Sequence, residues 1–263
     1  MRIVTCIKQV PASSKVDVDP ITGVLIRDGF NVKMNPYDLY ALEASFSIKN
    51  KTNNCTIQAI TMGPISAKEV LEEALYMGSD EATLVSDRRF AGADVLATSY
   101  TLSQLIRHIK EYDIVICGKQ TTDGDTAQVG PEIAEFLNIP HVPYVVEVLE
   151  VTDNSIIVRS SFDEHDEVTE VLYPCLLTIE KGIQVPRLPS YNRKTQMKDY
   201  DIKTITLAQL PDKNPDHYGL NGSPTRVEEI FPPNKRTDSI LVEGTRTELA
   251  ETLFKILKDN KYV

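Results

Sequence analysis

The sequence has 263 residues, 41% of them hydrophobic, which is enough for one large core or for one core with an appendage. Its 28 Lys and Arg are outnumbered by 38 Asp and Glu, giving a net charge of −10, and the cations gather in no basic stripe. This distribution excludes nucleic acid binding, which needs cations to neutralise phosphates, and favours small-molecule or protein partners.

The four cysteines, Cys6, Cys55, Cys117 and Cys175, are far apart in the sequence and form no C-x-x-C pair, so we expect buried free thiols. The apolar run at the N-terminus is too short for a signal segment, and no stretch approaches 18 apolar residues. We therefore expect a cytoplasmic protein without a membrane span.

The first 140 residues alternate between strand-like and helix-like patterns. A small hairpin is also predicted at VDVDPITGVLI (16–26), with a Pro- and Gly-containing turn. The apolar runs of strand length are RIVTCIK (2–8), CTIQAITM (55–62), EATLVS (81–86) and YDIVICG (112–118).

Amphipathic helices are predicted between these runs. The first opens at Asn35-Pro36, with the amide as its N-cap, the second at the capping box Ser66-x-x-Glu69, and the third at Asp94. Buried strands that alternate with such helices indicate an α/β fold, Rossmann-like, with a mostly parallel sheet covered by helices on both faces. In such folds ligands bind at the carboxyl ends of the strands.

After residue 140 the pattern changes. Strand-like segments at 142–151, 155–162 and 169–180 follow one another without intervening helices, which predicts antiparallel addition to the same sheet or a short β flap. A stretch rich in Pro, Lys and Arg then begins an extended arm that reaches about residue 243. The chain closes with an amphipathic helix over 244–260, and an arm of this length predicts a partner chain.

The loop GKQTTDGDTAQVGPEIAEFL (118–137) follows the fourth apolar run and leads into a helix. It lacks the pattern G-x-x-x-x-G-K-[ST], which excludes the usual nucleotide-hydrolysis loop. Asp123-x-Asp125 matches the start of a calcium loop, but three later positions of that pattern hold the wrong residue types. The loop therefore needs another interpretation.

Backbone N–H groups at the helix start near Gln128, together with the helix dipole, predict an anion site for a phosphate or diphosphate. Gly124 and Gly130 are expected to allow close approach of the backbone. Asp123 and Asp125 suit hydroxyl or amino groups of a ribose or adenine, or the capping of backbone N–H groups. The alternative is a capped turn without a ligand. For a bound phosphate or nucleotide, neutral hydrogen bonds can be added by Thr121, Thr122, Thr126 and Gln128.

No catalytic or metal-binding motif accompanies this loop. The four histidines lack the H-E-x-x-H spacing, and no G-x-S-x-G nucleophile motif occurs. The acidic run FDEHDE (162–167) is interpreted as a solvated turn. The sequence therefore predicts neither catalytic residues nor metal ligands.

Five segments in a fixed order resemble the beta subunit of electron-transfer flavoproteins over nearly the whole chain. They are IKQVP (7–11), MNPYDLYALEA (34–44), MGP (62–64), GKQTTDGDTAQVGP (118–131) and EVLYPCLLTIEKG (170–182), the last followed by a Leu-Pro loop. The resemblance implies an adenine-nucleotide alpha-hydrolase-like domain over 1–182 that does not hydrolyse its nucleotide. It further implies a partner-recognition loop over 183–195, and an arm and helix over 196–263 that pack on an alpha subunit.

The resemblance also implies the site residues. Leu188 matches the exposed leucine of the recognition loop, which docks into an apolar pocket of a partner dehydrogenase, and such an anchor is a sensible hot spot. The nucleotide-binding residues implied by the matching motifs are Cys6, Asn35, Pro36, Tyr37, Asp38, Met62, Gly118, Lys119, Gln120, Thr121, Thr122, Asp123, Gly124, Asp125, Thr126, Ala127, Gln128 and Val129.

Two nucleotides, AMP and FAD, occur at this site in the family. AMP-binding members carry a more acidic loop, such as DDDCNQT, where this chain has DGDTAQV. The segments AGADVLATS (91–99) and GSPTRV (222–227) look like those of members with a second flavin, and Asp94 and Thr98 are candidates for contact with a ribityl chain or flavin edge. We therefore favour FAD.

In FAD-binding members, the resemblance implies, NADH gives a hydride to this FAD. One electron then passes through the alpha-subunit FAD to an acyl-CoA or hydroxy-acid dehydrogenase, and the other goes to ferredoxin or flavodoxin. The chemistry belongs to the cofactor, so no side chain needs to be an acid or base. The alternatives are a non-bifurcating carrier with structural AMP in this subunit, and a stand-alone adenine-nucleotide sensor without a redox role.

Overall fold

The computed structural model describes residues 1–12, 32–228 and 241–263, so the hairpin predicted at 16–26 lies outside the described residues. The described strands are β1 (Arg2–Cys6), β2 (Gln9–Pro11), β3 (Val32–Met34), β4 (Thr56–Met62), β5 (Glu81–Val85), β6 (Ile114–Gly118), β7 (His141–Val151), β8 (Ser155–Ser161), β9 (Asp166–Leu172), β10 (Cys175–Ile179) and β11 (Lys203–Ile205). The helices are α1 (Pro36–Lys51), α2 (Lys68–Met77), α3 (Val95–Ile109), α4 (Val129–Leu137), α5 (Tyr191–Gln196) and α6 (Arg246–Asp259).

Within these ranges nine strands form one sheet, in the order β11-β5-β4-β1-β6-β10-β7-β8-β9. The pairings from β11 to β7 are all parallel, whereas β7, β8 and β9 form an antiparallel meander. Strands β2 and β3 pair separately. The predicted α/β class, a mostly parallel sheet with an antiparallel addition, is confirmed.

Helices cover both faces of the sheet, as predicted. Successive strand residues point to opposite faces, so Ile3 of β1 packs in one apolar cluster and its neighbour Val4 in the other. The first cluster contains Leu42 of α1 and is shared with α2, while the second contains Leu105 of α3 and is shared with α4. Two cores therefore fix the sheet between two helical layers.

Strand β10 differs from the antiparallel addition expected after residue 140. It lies between β6 and β7 and runs parallel to both, with Ile179 beside Gly118. The physical reason is burial: all five residues of CLLTI are buried, which suits a strand covered on both faces. Strands β8 and β9 each keep exposed or half-exposed positions, which suits the edge of the sheet.

Residues 202–223 also differ from the expected extended arm. Strand β11 pairs with β5 and adds a parallel strand to the opposite edge of the sheet. Tyr218 is fully buried, with its ring centre 5.3 Å from that of Phe90. Because the apolar residues of this stretch are widely spaced, their burial left no periodic signal in the sequence.

The predicted helix starts are only partly correct. Asp94 caps α3 by accepting from Ala97 N, and Thr245 with Glu248 forms the predicted capping box of α6. The capping box predicted at Ser66 is wrong, because Ser66 lies in a 3-10 turn and α2 begins afterwards at Lys68. The four cysteines, all in described ranges, are buried free thiols as predicted.

The final helix, α6, presents apolar side chains to the surroundings. Leu253 is 57% exposed and Phe254 60% exposed. None of the helices described is long and apolar enough to span a membrane.

Candidate functional site

The parallel strands end along one edge of the sheet and bring together the segments that the sequence singled out. Cys6 ends β1, Met62 ends β4 and Gly118 ends β6. After β1 the chain crosses to β4 on one side, whereas β6 lies on the other side of β1. At such a point a ligand-binding crevice is expected outside the strand ends, here between β1 and β6, and this place is called the crevice below.

Asn35 joins the start of α1 to the loop that follows β6. It occupies the N-cap position, but its Nδ2 donates to the carbonyl oxygen of Gln120 at 2.9 Å and its Oδ1 accepts from Thr122 N at 3.3 Å. The predicted role as an amide cap of α1 is therefore wrong. The side chain is fully buried and fixes the position of the loop instead.

Asp38 is the third residue of α1 and lies next to this contact. Its Oδ2 accepts from Lys8 N at 2.7 Å, and burial raises the pKa of its carboxyl to about 7 despite hydrogen bonds from Asn35 and Lys8. A Cβ atom at Gly118 would lie 2.5 Å from Asp38 Oδ1 and 2.8 Å from the carbonyl carbon of Tyr37. Glycine at 118 is therefore required by the close approach of α1. Pro36 and Tyr37 are themselves half-buried.

Like Asn35, Lys8 makes a contact across the crevice to the loop. Its Nζ lies 2.8 Å from Oδ1 and 2.7 Å from Oδ2 of Asp123. Although burial acts to raise it, the pKa of Asp123 is lowered by this ammonium group. The pair neutralises one carboxylate of the loop. Sequence reasoning missed Lys8, although it belongs to the IKQVP segment that directly follows β1.

The loop itself turns sharply before α4. Asp125 N donates to the carbonyl oxygen of Thr121 at 2.9 Å, and Gln120 Nε2 donates to Asp125 Oδ1. Asp125 and Ala127 have left-handed backbone angles, with φ of 53° and 55°. These contacts give an exposed loop a defined shape.

Helix α4 begins where predicted, with Gln128 at its N-cap position and Val129 as its first residue. Within the part of the chain that the structure describes, the backbone N–H groups of Thr126, Ala127 and Gln128 have no hydrogen-bond acceptor. Unpaired N–H groups at a helix start are the donors that bind phosphate groups. The loop therefore offers the geometry of an anion site.

The two glycines inside the loop region have different roles from those expected. A Cβ atom at Gly130 would lie 2.4 Å from Thr178 Cγ2, so this glycine lets α4 pack closely on β10. At Gly124 the nearest atom to such a Cβ is Thr121 Oγ1 at 3.4 Å. Gly130 therefore serves helix–sheet packing, and Gly124 has room for a methyl group.

Lys119 follows Gly118 but directs its side chain away from the loop. Its Nζ lies 2.6 Å from Glu180 Oε2 and 4.8 Å from the ring centre of Tyr144. The ammonium group is thus neutralised on the side of β10 and β7. Only its backbone belongs to the crevice.

The floor of the crevice contains two thiols. Cys6 and Cys117 are register partners on β1 and β6, and both are buried. The neighbouring Cys6 thiol and burial raise the pKa of Cys117 well above its usual range. The Cys117 thiol is therefore neutral and adds no charge next to a bound anion. Met62 is half-buried at the neighbouring strand end.

Asp94 and Thr98 lie at the start of α3, after β5. The carboxylate of Asp94 accepts from Ala97 N at 3.1 Å and from the N and Oγ1 of Thr225 at 3.0 and 2.7 Å. Thr98 is half-buried in the same turn. In the described ranges neither residue hydrogen-bonds to 118–129, so Asp94 serves here to tie the segment at 222–227 to α3.

The acidic run at 162–167 forms a turn in which Phe162 N donates to the carbonyl oxygen of His165 at 2.9 Å. The ring of His165 lies 3.0 Å from Glu167 Oε1. Across the described ranges, His, Cys, Asp and Glu form no group of three or more that could hold a metal ion.

Leu188 lies apart from the crevice, in a loop that ends in α5. It is 86% exposed. Val185 and Tyr191, which the sequence did not single out, are 91% and 81% exposed. These three exposed side chains, spaced three residues apart, are called here the loop tip.

The fold and this edge define an α/β protein with a polar crevice at the carboxyl ends of a mostly parallel sheet. Residues 22–210 match the family model described as Electron transfer flavoprotein domain. The chain therefore belongs to the electron-transfer flavoprotein family, as a beta subunit, which confirms the resemblance seen in its motifs. Membership implies an alpha-subunit partner and association with a flavin or nucleotide.

Named relatives match all or most of the chain. It is 42% identical over 263 residues to electron transfer flavoprotein subunit beta of Clostridium acetobutylicum, covering 100% of both chains. It is 42% identical over 266 residues to caffeyl-CoA reductase-Etf complex subunit CarD of Acetobacterium woodii, again covering 100% of both. With electron transfer flavoprotein subunit beta of Megasphaera elsdenii it shares 39% identity over 249 residues, 92% of each chain.

Proposed function

We propose that this beta subunit binds FAD in the crevice between β1 and β6, within a heterodimer that takes electrons from NADH and bifurcates them. The cofactor supplies the redox chemistry: it accepts hydride and releases single electrons. One electron would go by way of the alpha-subunit FAD to an acyl-CoA or hydroxy-acid dehydrogenase, and the other to ferredoxin or flavodoxin. The chain itself binds and orients the nucleotide.

The observation that carries this proposal is the set of backbone N–H groups at residues 126–128 that have no acceptor among the described residues, next to the strand end at Gly118, which α1 approaches closely. These donors suit the diphosphate of a dinucleotide. The Lys8–Asp123 pair removes a negative charge that would repel the phosphates. Asn35 holds the loop against α1, so the donors are positioned before the nucleotide binds.

FAD is favoured over AMP by the residues of the loop. Its segment DGDTAQV is less acidic than the loop of AMP-binding members, and one of its two aspartates is neutralised by Lys8. The named relative in a caffeyl-CoA reductase-Etf complex also supports a role that is coupled to a CoA-linked reductase. The same site with AMP, in a simple electron carrier, is the alternative.

A coupled assay tests the bifurcation directly. The purified heterodimer is mixed with NADH, ferredoxin and candidate acyl-CoA or hydroxy-acid dehydrogenases, and both acceptors are followed optically. We expect ferredoxin to be reduced only while the dehydrogenase also turns over. Reduction of the dehydrogenase alone, with ferredoxin unchanged for every candidate, would indicate a simple carrier.

Two surfaces would join the subunit to its partners. The loop tip would dock on the dehydrogenase through Leu188, because an exposed apolar anchor in polar surroundings is a typical hot spot. The exposed apolar face of α6, with Leu253 and Phe254, would pack on the alpha subunit. A stand-alone nucleotide sensor would need neither surface, and it would purify as a stable monomer without flavin.

A further inference from the structure

Two arginines, one within the loop tip and one after it, turn inward while the apolar side chains of the tip turn outward. Arg187 directly precedes the exposed Leu188, and Arg193 follows the exposed Tyr191. A loop that only linked two elements would have no need of such fixed points on each side. The contacts of both arginines therefore bear on the conformation of the loop tip.

Arg187 is fixed to α1 by a fork of hydrogen bonds with Glu43. Its backbone N and Nε each lie 2.9 Å from Glu43 Oε2, and its Nη2 lies 2.8 Å from Oε1. The Glu43 side chain is only 10% exposed. The guanidinium carbon lies 4.3 Å from the ring centre of Phe46, one turn further along α1. Glu43 thus binds both the side chain and the main chain next to Leu188.

Although burial acts to raise it, the pKa of Glu43 is lowered by its hydrogen bonds and charge contact with Arg187. The carboxylate is therefore ionised at neutral pH, when it accepts all three N–H groups. A planar fork matches a carboxylate in a way that a lysine ammonium does not.

The other side of the tip is fixed to the end of α2. Ser190 N donates to the carbonyl oxygen of Tyr76 at 2.9 Å. Arg193 donates from Nε to the carbonyl oxygen of Leu75 at 2.9 Å and from Nη2 to that of Ser79 at 2.7 Å. The carbonyls of Leu75 and Tyr76 belong to the last turn of α2, where acceptors lack partners within the helix, and Ser79 follows its C-cap, Gly78.

We infer that Arg187, with Glu43 and Phe46, is a positioning residue that holds Leu188 in its docking conformation before the dehydrogenase arrives. The inference rests on the proposed docking role of Leu188. Ordering a loop during association costs affinity, and a loop that is already ordered avoids that cost. In this role Arg187 acts through Leu188.

A double-mutant cycle in the intact heterodimer tests this role. Arg187→Gln should raise the KM for the dehydrogenase about tenfold, by loosening the loop, with kcat and nucleotide content unchanged. In a Leu188→Ala background the same substitution should add less than about a twofold effect, because the anchor that it positions is gone. Arg187→Lys, which keeps the charge but loses the fork, should resemble Arg187→Gln.

The charge-matched control is Lys181→Gln, which removes an exposed cation at the start of the same loop. It should leave KM within about twofold of the wild type. An equal rise in KM for Lys181→Gln would show that net charge, and not positioning, controls docking. If the double variant raised KM by the product of the two single-variant effects, that result would also overturn the inference.

Hydrogen exchange without the dehydrogenase separates this inference from the docking proposal. The amides of Arg187 and Ser190 should exchange faster in Arg187→Gln than in the wild type. One outcome is that they do so while Leu188→Ala leaves KM unchanged. In that case the contacts of Arg187 order the loop but Leu188 is not the anchor, so both the docking role and the positioning role fail. If Leu188→Ala raises KM while Arg187→Gln changes neither exchange nor KM, only the positioning role fails.

Discussion

The crevice and the loop tip are built in opposite ways. At the crevice, the donors are backbone N–H groups of residues 126–128, and the side chains of Asn35, Asp38 and Lys8 support the loop that carries them. At the loop tip, exposed side chains would make the contact, and the backbone is held by Arg187 and distant elements. A nucleotide site needs a fixed backbone and room, whereas a docking surface needs a protruding apolar group.

The largest effect is expected from Gly118→Ala, which would push α1 away from the end of β6. The new Cβ would overlap Asp38 Oδ1 and the backbone of Tyr37, and neither can move freely. Such overpacking costs about 1–3 kcal/mol of folding stability. Because Asn35 at the start of α1 holds the loop, displacing α1 should also lower nucleotide affinity, by up to about 100-fold. The measurement is nucleotide content per heterodimer and the Kd of re-binding.

Gly124→Ala is the matched control, because its Cβ has room beside Thr121. It should keep the folding stability of the wild type, because no protein atom has to move. Equal losses for the two alanine variants would show that the crevice is not shaped by the approach of α1 to Gly118.

A pH-dependent effect is expected from Asp38, whose carboxyl is buried beneath the loop. Burial raises the pKa of this carboxyl in the folded protein to about 7, well above the ordinary value of an aspartate, so the folded protein retains a proton that the unfolded chain loses. The stability that this group contributes is fully present below about pH 4 and declines as pH rises through 7.

From pH 5 to pH 8 the wild type should lose roughly 2–3 kcal/mol more stability than Asp38→Asn, which cannot titrate. Denaturant unfolding of the heterodimer at each pH measures the difference. Asp163→Asn, at an exposed position, should follow the wild type. Parallel pH curves for wild type and Asp38→Asn would contradict a raised pKa at this position.

At the loop tip, Leu188→Ala should slow electron delivery without touching the crevice. Burial of a leucine contributes about 1.5–3 kcal/mol, so the KM for the dehydrogenase should rise by about 30-fold. Nucleotide content should stay at the wild-type value. Val185→Ala and Tyr191→Ala show whether the neighbouring exposed side chains share the contact. Loss of flavin in Leu188→Ala would show that the two regions are not separate.

The smallest effect is expected from Lys8→Met, which leaves Asp123 unpaired in the loop. Lys8 and Asp123 are 43% and 32% exposed, so water screens much of their interaction. Nucleotide affinity should fall by about fivefold, or roughly 1 kcal/mol. Adding Asp123→Asn should restore it, because the repelling charge is then absent. Failure of that rescue would mean that Lys8 binds the nucleotide directly.

The same contrast explains what could be predicted from the sequence. The start of α4 near Gln128 and the α/β class were predicted because strand length, helical periodicity and loop composition are local signals. The contacts of Lys8 with Asp123 and of Arg187 with Glu43 join residues more than a hundred positions apart, and no local pattern marks them. For that reason the sequence alone indicated only a Pro-rich stretch around Arg187.

Burial explains two further differences between the sequence predictions and the structure. The apolar run of β10 does not by itself specify its neighbours, and full burial places it inside the parallel sheet. Residues 202–223 have few apolar positions, yet Leu207 and Tyr218 fill the core beside α3. In both cases tertiary packing, and not local composition, determines where the segment lies in the fold.

The central claim is that this subunit holds FAD, and an inventory of released nucleotides tests it most directly. The purified heterodimer is denatured, and the nucleotides are separated by chromatography and quantified against the protein. The account predicts two FAD and no AMP per heterodimer, with one FAD lost in Gly118→Ala. One FAD and one AMP per heterodimer would contradict it, and this beta subunit would then belong to a simple electron carrier.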